Sequence, residues 1–363
     1  MIRRLTLRPL GIGAAVEAAG GLSLAGGPLG FTACECVVRD HAVQLTRQVV
    51  PVSEIPDWAT QFGPDAAAEA VDLLQRLSAP RGSFAGLELT RPRVMGVINV
   101  TPDSFSDGGE RFDGAKAIAD GFALWEAGAE ILDVGGESTR PGAEPIDRDE
   151  ELRRVVPVVR GLADRGALVS IDTRHARVME QAISAGAKIV NDVTALAGDP
   201  RSLMLAARAE VSVILMHMQG QPQSMQCAPI YDDAPLDVYD HLGRRIAACA
   251  AAGIALDRIA VDPGIGFGKT VDHNLQILDQ MALYQGFGCA VALGVSRKSF
   301  IGRLSRGEPP KARIPGSIAA ALTGLERGVQ IIRAHDVAET VQALAVWQAV
   351  NGPRNLSGSN LLP

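Results

Sequence analysis

A chain of 363 residues exceeds one small module and has room for two domains, or for one α/β barrel of about 250 residues with an accessory unit. Its 47% hydrophobic and 21% charged residues exclude intrinsic disorder, and 35 Lys and Arg against 41 Asp and Glu, a formal charge of −6, leave no global field for nucleic acid or anionic lipid. Any anion is therefore held locally. The five cysteines are scattered, with only Cys34 and Cys36 close together, which fits reduced thiols in a cytoplasm rather than a disulfide or zinc framework.

In chain order, residues 18–34 are uncharged, but five glycines and Pro28 spoil them as a membrane helix, and Glu17 interrupts the apolar run behind Arg3 and Arg4 that could pass for a secretory signal. FTACECVV (31–38) and AVQLTRQVV (42–50) read as strands, and Pro64-Asp65 opens a helix to about Ser78. Residues 78–82 read as a linker, and 83–90 as a strand capping the bottom of a second, larger domain. Residues 1–82 are thus expected to form a small α/β module without a motif that carries chemistry.

From Arg93 onward one pattern repeats: a short run rich in Val and Ile, a break, then an amphipathic stretch rich in Ala and Leu. The runs are RVMGVINV (93–100), AEILDVG (129–135), ALVSID (167–172), AKIVND (187–192), VSVILMH (211–217), RIAVD (258–262), CAVALGV (289–295) and VQIIRAH (329–335). Eight βα units in succession fit an α/β fold of the (β/α)8 TIM-barrel class over 83–363 better than an open doubly wound sheet.

A strand buried on both sides should be apolar throughout, so polar residues at its C-terminal end, where barrel active sites lie, need a reason. Asn99 closes the first strand, Asp133 lies in the second with Glu137 just after it, Asp172 closes the third, and Asn191 and Asp192 the fourth. His217 closes the fifth and Asp262 the sixth; Arg297 and Lys298 follow the seventh, and Arg333 and His335 close the eighth. One such residue would be a cap or an internal salt bridge, whereas this set converges on one mouth. Asp172, Asn191 and Asp262 offer donors and acceptors suited to a flat heterocycle with amide and amino edges. Asn99, Arg333 and His335, from the neighbouring first and last strands, can hold a diphosphate with a magnesium ion. Lys298, one of five lysines, supplies a compact, movable charge.

Two polar loops at the mouth, VTPDSFSDGG (100–109) and GGESTRPGA (135–143), have the Gly and Pro content of covers that order over a ligand, with mobility expected over 101–112 and 137–146 in its absence. They bring Asp103, Asp107, Thr139 and Arg140. PGIGFGKT (263–270) mimics a phosphate-cradling loop, yet Pro263 stands where the first glycine of that motif belongs. Lys269 is read as a solvated loop residue and Phe267 as one wall of a planar-ligand pocket.

MGVINVTPDSFSDGG, ILDVGGESTRPGA, SIDT, IVNDVTA, LMHMQG, DPGIGFGK, LGVSRKSFIG and IIRAHDV, in this order over about residues 84–350, closely resemble dihydropteroate synthase, a folate-pathway family. The resemblance implies a (β/α)8 enzyme, usually a homodimer, that joins 6-hydroxymethyl-7,8-dihydropterin diphosphate to p-aminobenzoate with Mg²⁺. It places the pterin against Asp172, Asn191, Asp262 and Lys298, with Met216 and Phe267 lining the pocket. It assigns the magnesium to Asn99, the diphosphate to Arg140, Arg333 and His335, and the p-aminobenzoate site to Thr139, Pro141, Phe105, Lys298 and Ser299. Asp262, Lys298, Asp103 and Asp107 are the catalytic candidates, and sulfonamides the implied inhibitors. Neither nucleic acid nor membrane is an expected partner. A pterin-binding methyltransferase shares the barrel but has no use for ESTRPG or SRKSF, and a silent synthase-like partner protein would have lost loop or anion residues that stand here.

Overall fold

The computed structural model describes residues 3–14, 16, 20–40, 43–100, 114–137, 146–220 and 225–352. The chain opens with β1 (Arg3–Leu10), followed by β2 (Gly13–Ala14), β3 (Leu22–Ser23), β4 (Leu29–Phe31), β5 (Ala33–Asp40) and β6 (Val43–Pro51). These form two antiparallel three-stranded sheets, β1-β5-β6 and β2-β4-β3. Then come α1 (Ile55–Ala59) and α2 (Pro64–Ser78), the latter started by a proline whose fixed φ suits a first helical turn. Leu5 and Leu7 of β1, Cys34, Cys36 and Val38 of β5 and Ala70, Leu73 and Leu77 of α2 share one apolar core. Sequence reading finds β5, β6 and α2; the structure adds β1, whose Leu5, Thr6 and Leu7 are all buried, so it lacks the polar alternation that marks a half-buried strand.

Segment 78–82 is not the free linker its composition suggests. Arg81, only 6% exposed, donates to the carbonyls of Arg76 and Ala79 at 2.9 Å each and of Gln285 at 2.8 Å, tying the N-terminal unit to the barrel floor. Arg39 adds a bidentate pair with Asp240 at 2.9 and 2.8 Å. The expected capping strand is a hairpin, β7 (Ser83–Phe84) and β8 (Leu87–Glu88), turning through Ala85 and Gly86, both at positive φ. Phe84 is fully buried with Met95, Ile131, Ile189, Ile214 and Ile331, and so plugs the barrel from below.

The barrel strands are β9 (Arg93–Asn99), β10 (Ile131–Gly135), β11 (Val169–Asp172), β12 (Ile189–Asp192), β13 (Ser212–Met216), β14 (Ile259–Asp262), β15 (Ala290–Gly294) and β16 (Ile331–Ala334), all within the eight expected runs. They are parallel and closed, β16 pairing back onto β9. The helices around them are α3 (Gly114–Glu126), α4 (Arg148–Ala163), α5 (Ala176–Ser184), α6 (Ser202–Arg208), α7 (Ala234–Ala251), α8 (Val271–Asp279), α9 (Ser299–Leu304), α10 (Ile314–Leu325) and α11 (Val337–Asn351). Alternation sorts each strand: Val94, Ile98, Leu132, Val134, Ile171, Val190 and Leu293 pack outward in the helix-facing core, while Met95, Ile131, Ile189, Ile214, Ala260 and Ile331 fill the barrel. No helix among the described residues is long and apolar enough to cross a membrane.

Candidate active site

The same two-residue period carries polar groups up the inner wall. Counting from the filling layer in steps of two reaches Asn99 from Met95, Asp133 from Ile131, Asn191 from Ile189, Met216 from Ile214, Asp262 from Ala260 and Arg333 from Ile331. Their register is fixed across the sheet, with Asp172 opposite both Gly135 and Asn191, Asp262 opposite Met216, and Arg333 opposite Gly294.

Arg333 organises one half of the mouth. Its Nε donates to Asp133 at 2.7 Å and its Nη2 to Asp172 at 2.8 Å, while Asn191 Nδ2 donates to the same Asp133 oxygen at 3.0 Å. Burial pulls the guanidinium down, but Asp133 and Asp172 outweigh it and hold the group above its ordinary value. Burial pushes Asp172 up to about 7, against the pull of Arg333. Two of the guanidinium nitrogens therefore face carboxylates. Asp133, fully buried, is the member of this network that sequence reading left out of the site; its inward register was the available signal.

The other half is built by β14 and the loop after it. Asp262 accepts from the Gly264 N–H at 2.7 Å, and burial pushes its carboxyl up despite the nearby Lys298. Lys298 donates to the Ile265 carbonyl and sits 4.4 Å above the ring of Phe267, a cation–π contact. Burial draws its amine down to about 8, opposed by Asp262. Met216 is buried at the end of β13. Lys269 is not solvated, contrary to expectation: it is 2% exposed, with its Nζ 2.9 Å from His217 Nδ1 and 3.0 Å from the Phe267 carbonyl. The glycines around it bring the loop's main chain against the chain beyond β13, which covers the lysine.

Asn99 and His335 stand half-buried at neighbouring strand ends, His335 Nδ1 3.0 Å from Ser296 Oγ. Ser299 begins α9, exposed beside Lys298. Three other polar residues at the mouth have structural work instead. Asp192 caps the following turn through Thr194 and Leu196 N–H, His217 holds Lys269, and Arg297, at φ 60, pairs with Asp336. Asp103, Phe105, Asp107, Thr139, Arg140 and Pro141, and the expected mobile loops carrying them apart from residues 137 and 146, lie outside the described residues; Glu137, at the start of the second loop, pairs with Arg174 at 3.0 Å.

A closed (β/α)8 barrel that gathers carboxylates, an amide, a lysine and a phenylalanine at its C-terminal mouth has the form of a TIM-barrel enzyme, with donors and acceptors suited to a flat heterocycle. The pterin binding enzyme family matches residues 95–335. Dihydropteroate synthase of Escherichia coli (strain K12) is 45% identical over 264 residues, spanning 72% of this chain and 93% of that protein. The Xanthomonas albilineans dihydropteroate synthase with 4-aminobenzoic acid superposes with a TM-score of 0.71 at 47% identity, covering 76% of this chain and 99% of that one. The Yersinia pestis enzyme in a sulfonamide drug complex gives 0.69 at 46% identity, covering 73% and 96%. The chain belongs to the dihydropteroate synthases of the pterin binding enzyme family.

Proposed function

We infer that the chain joins 6-hydroxymethyl-7,8-dihydropterin diphosphate to p-aminobenzoate, releasing diphosphate and forming 7,8-dihydropteroate. The observation that supports it is the convergence of Asp172, Asn191, Asp262, Lys298 and Phe267 on one mouth, in a chain 45% identical to a dihydropteroate synthase. Asp262, Asn191 and Asp172 hold the ring's donor edges, Lys298 donates to its acceptor edge, and Phe267 and Met216 cover its faces.

Asn99 supplies one amide oxygen at the mouth, and a magnesium ion carried in on phosphate oxygens needs only one or two protein ligands, so the residue fits such an ion. When bound, magnesium neutralises charge on the leaving diphosphate. His335 and the remaining nitrogen of Arg333, Nη1, orient that group, with Arg140 from the second loop. The C–O bond to diphosphate breaks first, because the dihydropterin delocalises the resulting cation. Asp262, with Asp103 and Asp107, stabilises that cation while the arylamine nitrogen attacks and then loses its proton. Phe105, Thr139, Pro141, Lys298 and Ser299 frame the arylamine. The active unit is a homodimer in a cytoplasm; Val346 and Val350, one turn apart on α11 and each 62% exposed, offer apolar surface to a second copy. Inhibition kinetics with a sulfonamide test the arylamine pocket: inhibition competitive with p-aminobenzoate is expected, and resistance at millimolar concentration in an active enzyme contradicts it.

A further inference from the structure

The loop after β14 is built on contact between backbones. Gly264, Gly266 and Gly268 have φ of 70°, 82° and 61°, and a Cβ at Gly264 would lie 1.9 Å from the His217 carbonyl oxygen, one at Gly268 2.3 Å from that of Gln219. No layer of side chains separates the loop from residues 217–219. Glycine is required at both positions by closeness as well as by φ.

Lys269 closes the far end of this contact. Its Nζ is 2.9 Å from His217 Nδ1, 3.0 Å from the Phe267 carbonyl oxygen and 3.4 Å from the His217 carbonyl oxygen. Burial and the nearby Lys298 draw the Lys269 amine well below its ordinary value against the pull of Asp262, and its N–H groups have the Phe267 and His217 carbonyl oxygens and the His217 imidazole within reach. Burial, with Lys269 beside it, pushes His217 down to about 2, so its imidazole is neutral, and in the tautomer protonated at Nε2 its Nδ1 accepts from Lys269. His241 packs edge-on against that imidazole with ring centres 4.8 Å apart, and the Tyr231 hydroxyl donates to the Gly268 carbonyl at 2.8 Å. The synthase reaction gives Lys269 no part in its chemistry. A buried lysine is nonetheless costly, and an apolar side chain would fill the space more cheaply unless the geometry it enforces matters.

We propose that Lys269 is a positioning residue for the pterin pocket: by binding the Phe267 carbonyl together with the His217 imidazole and main chain, it sets the height of the Phe267 ring beneath Lys298. This rests on the reading of Phe267 and Lys298 as pocket walls. Lys269 touches neither substrate. Its removal therefore loosens one side of the site, the heterocycle's, and leaves the arylamine side in place.

The test compares the wild type with Lys269→Met, His217→Leu and His217→Asn, each checked for a cooperative melt. The readouts are calorimetric titration with 6-hydroxymethylpterin and the KM of each substrate. Lys269→Met and His217→Leu are expected to weaken pterin binding and raise the KM for the pterin diphosphate about tenfold or more, the scale of leaving a buried hydrogen-bond partner unsatisfied. The KM for p-aminobenzoate should stay within about threefold. His217→Asn, whose amide oxygen can take the place of Nδ1, should recover most of the loss. If Lys269→Met does not fold, the His217 pair decides. Wild-type pterin affinity in Lys269→Met or His217→Leu, equal weakening of both substrates, or no recovery in His217→Asn overturns the proposal. A wild type that itself fails to bind the pterin overturns the pocket reading beneath it.

Discussion

Arg333 on β16 donates its Nε to Asp133 on β10 at 2.7 Å, reaching past β9 to bind a carboxylate with no exposure to solvent. Asp172, on the far side, takes the Nη2. The barrel mouth thus encloses a guanidinium between two carboxylates, an arrangement set before any ligand arrives. Removing Asp133 takes away one of these two carboxylates and leaves the Nε and the Asn191 amide without their buried acceptor, at about 1–3 kcal/mol, while Asp172 still faces the charge. Asp133→Ala should lose stability on that scale in denaturant titration, whereas Asp133→Asn, which keeps an acceptor for Nε, should lose clearly less. Equal losses would show that the charge of Asp133 is immaterial.

Asp172, near 7, and Lys298, near 8, titrate close together at the mouth. An ionised Asp172 accepts from the heterocycle, so pterin affinity should rise as pH passes about 7; a protonated Lys298 donates to it, so affinity should fall above about 8. For the free protein the signs reverse. The Asp172 pKa is raised on folding, so its ionisation costs stability as pH climbs toward 7, and the depressed Lys298 pKa costs stability until pH exceeds 8. Calorimetric pterin affinity against pH should be bell-shaped, losing its acid limb in Asp172→Asn and its alkaline limb in Lys298→Met. A flat wild-type profile would contradict both assignments.

Asp262→Asn keeps an oxygen to accept from the Gly264 N–H, so the loop should hold its shape. What it loses is the negative charge facing the developing cation. Turnover should fall on the order of 10²-fold or more, with diphosphate affinity changed far less. Steady-state kinetics with direct diphosphate titration check this, and an unchanged kcat would remove Asp262 from the mechanism.

The eight barrel strands were legible because β-branched runs alternate with helical ones, and most of the mouth because a charge at the end of a doubly buried strand is too costly to keep unless a site uses it. Asp133 was legible only in part: its inward register follows from counting back from Gly135, but which partner it takes depends on Arg333, 200 residues away. Lys269 was misread because a lysine among glycines normally faces water, and only the close approach at Gly264 and Gly268 reveals that it cannot. Arg81 was misread in the same way, its neighbours having the composition of a linker while its carbonyl partner, Gln285, lies on the barrel. β1 was not legible because its buried Thr6 stands between Leu5 and Leu7, so the run shows no alternation of buried and exposed positions.

Every residue with a proposed role in the chemistry lies beyond Ser83. A chain beginning there should keep synthase activity, but it uncovers Leu236 and Leu283, which pack against Val37, and frees Asp240 from Arg39. A lower melting temperature and reduced solubility are expected with kcat within a few-fold. A folded, soluble and inactive truncation would place part of the site in the N-terminal unit.

Diphosphate release by the purified full-length protein measures the coupled reaction most directly. With 6-hydroxymethyl-7,8-dihydropterin diphosphate, p-aminobenzoate and Mg²⁺ all present, diphosphate should appear in equal amount to a product with the mass of 7,8-dihydropteroate, and leaving out either organic substrate should abolish that product. Diphosphate released at the same rate without p-aminobenzoate, or none released with all three, would contradict a synthase reaction at this mouth.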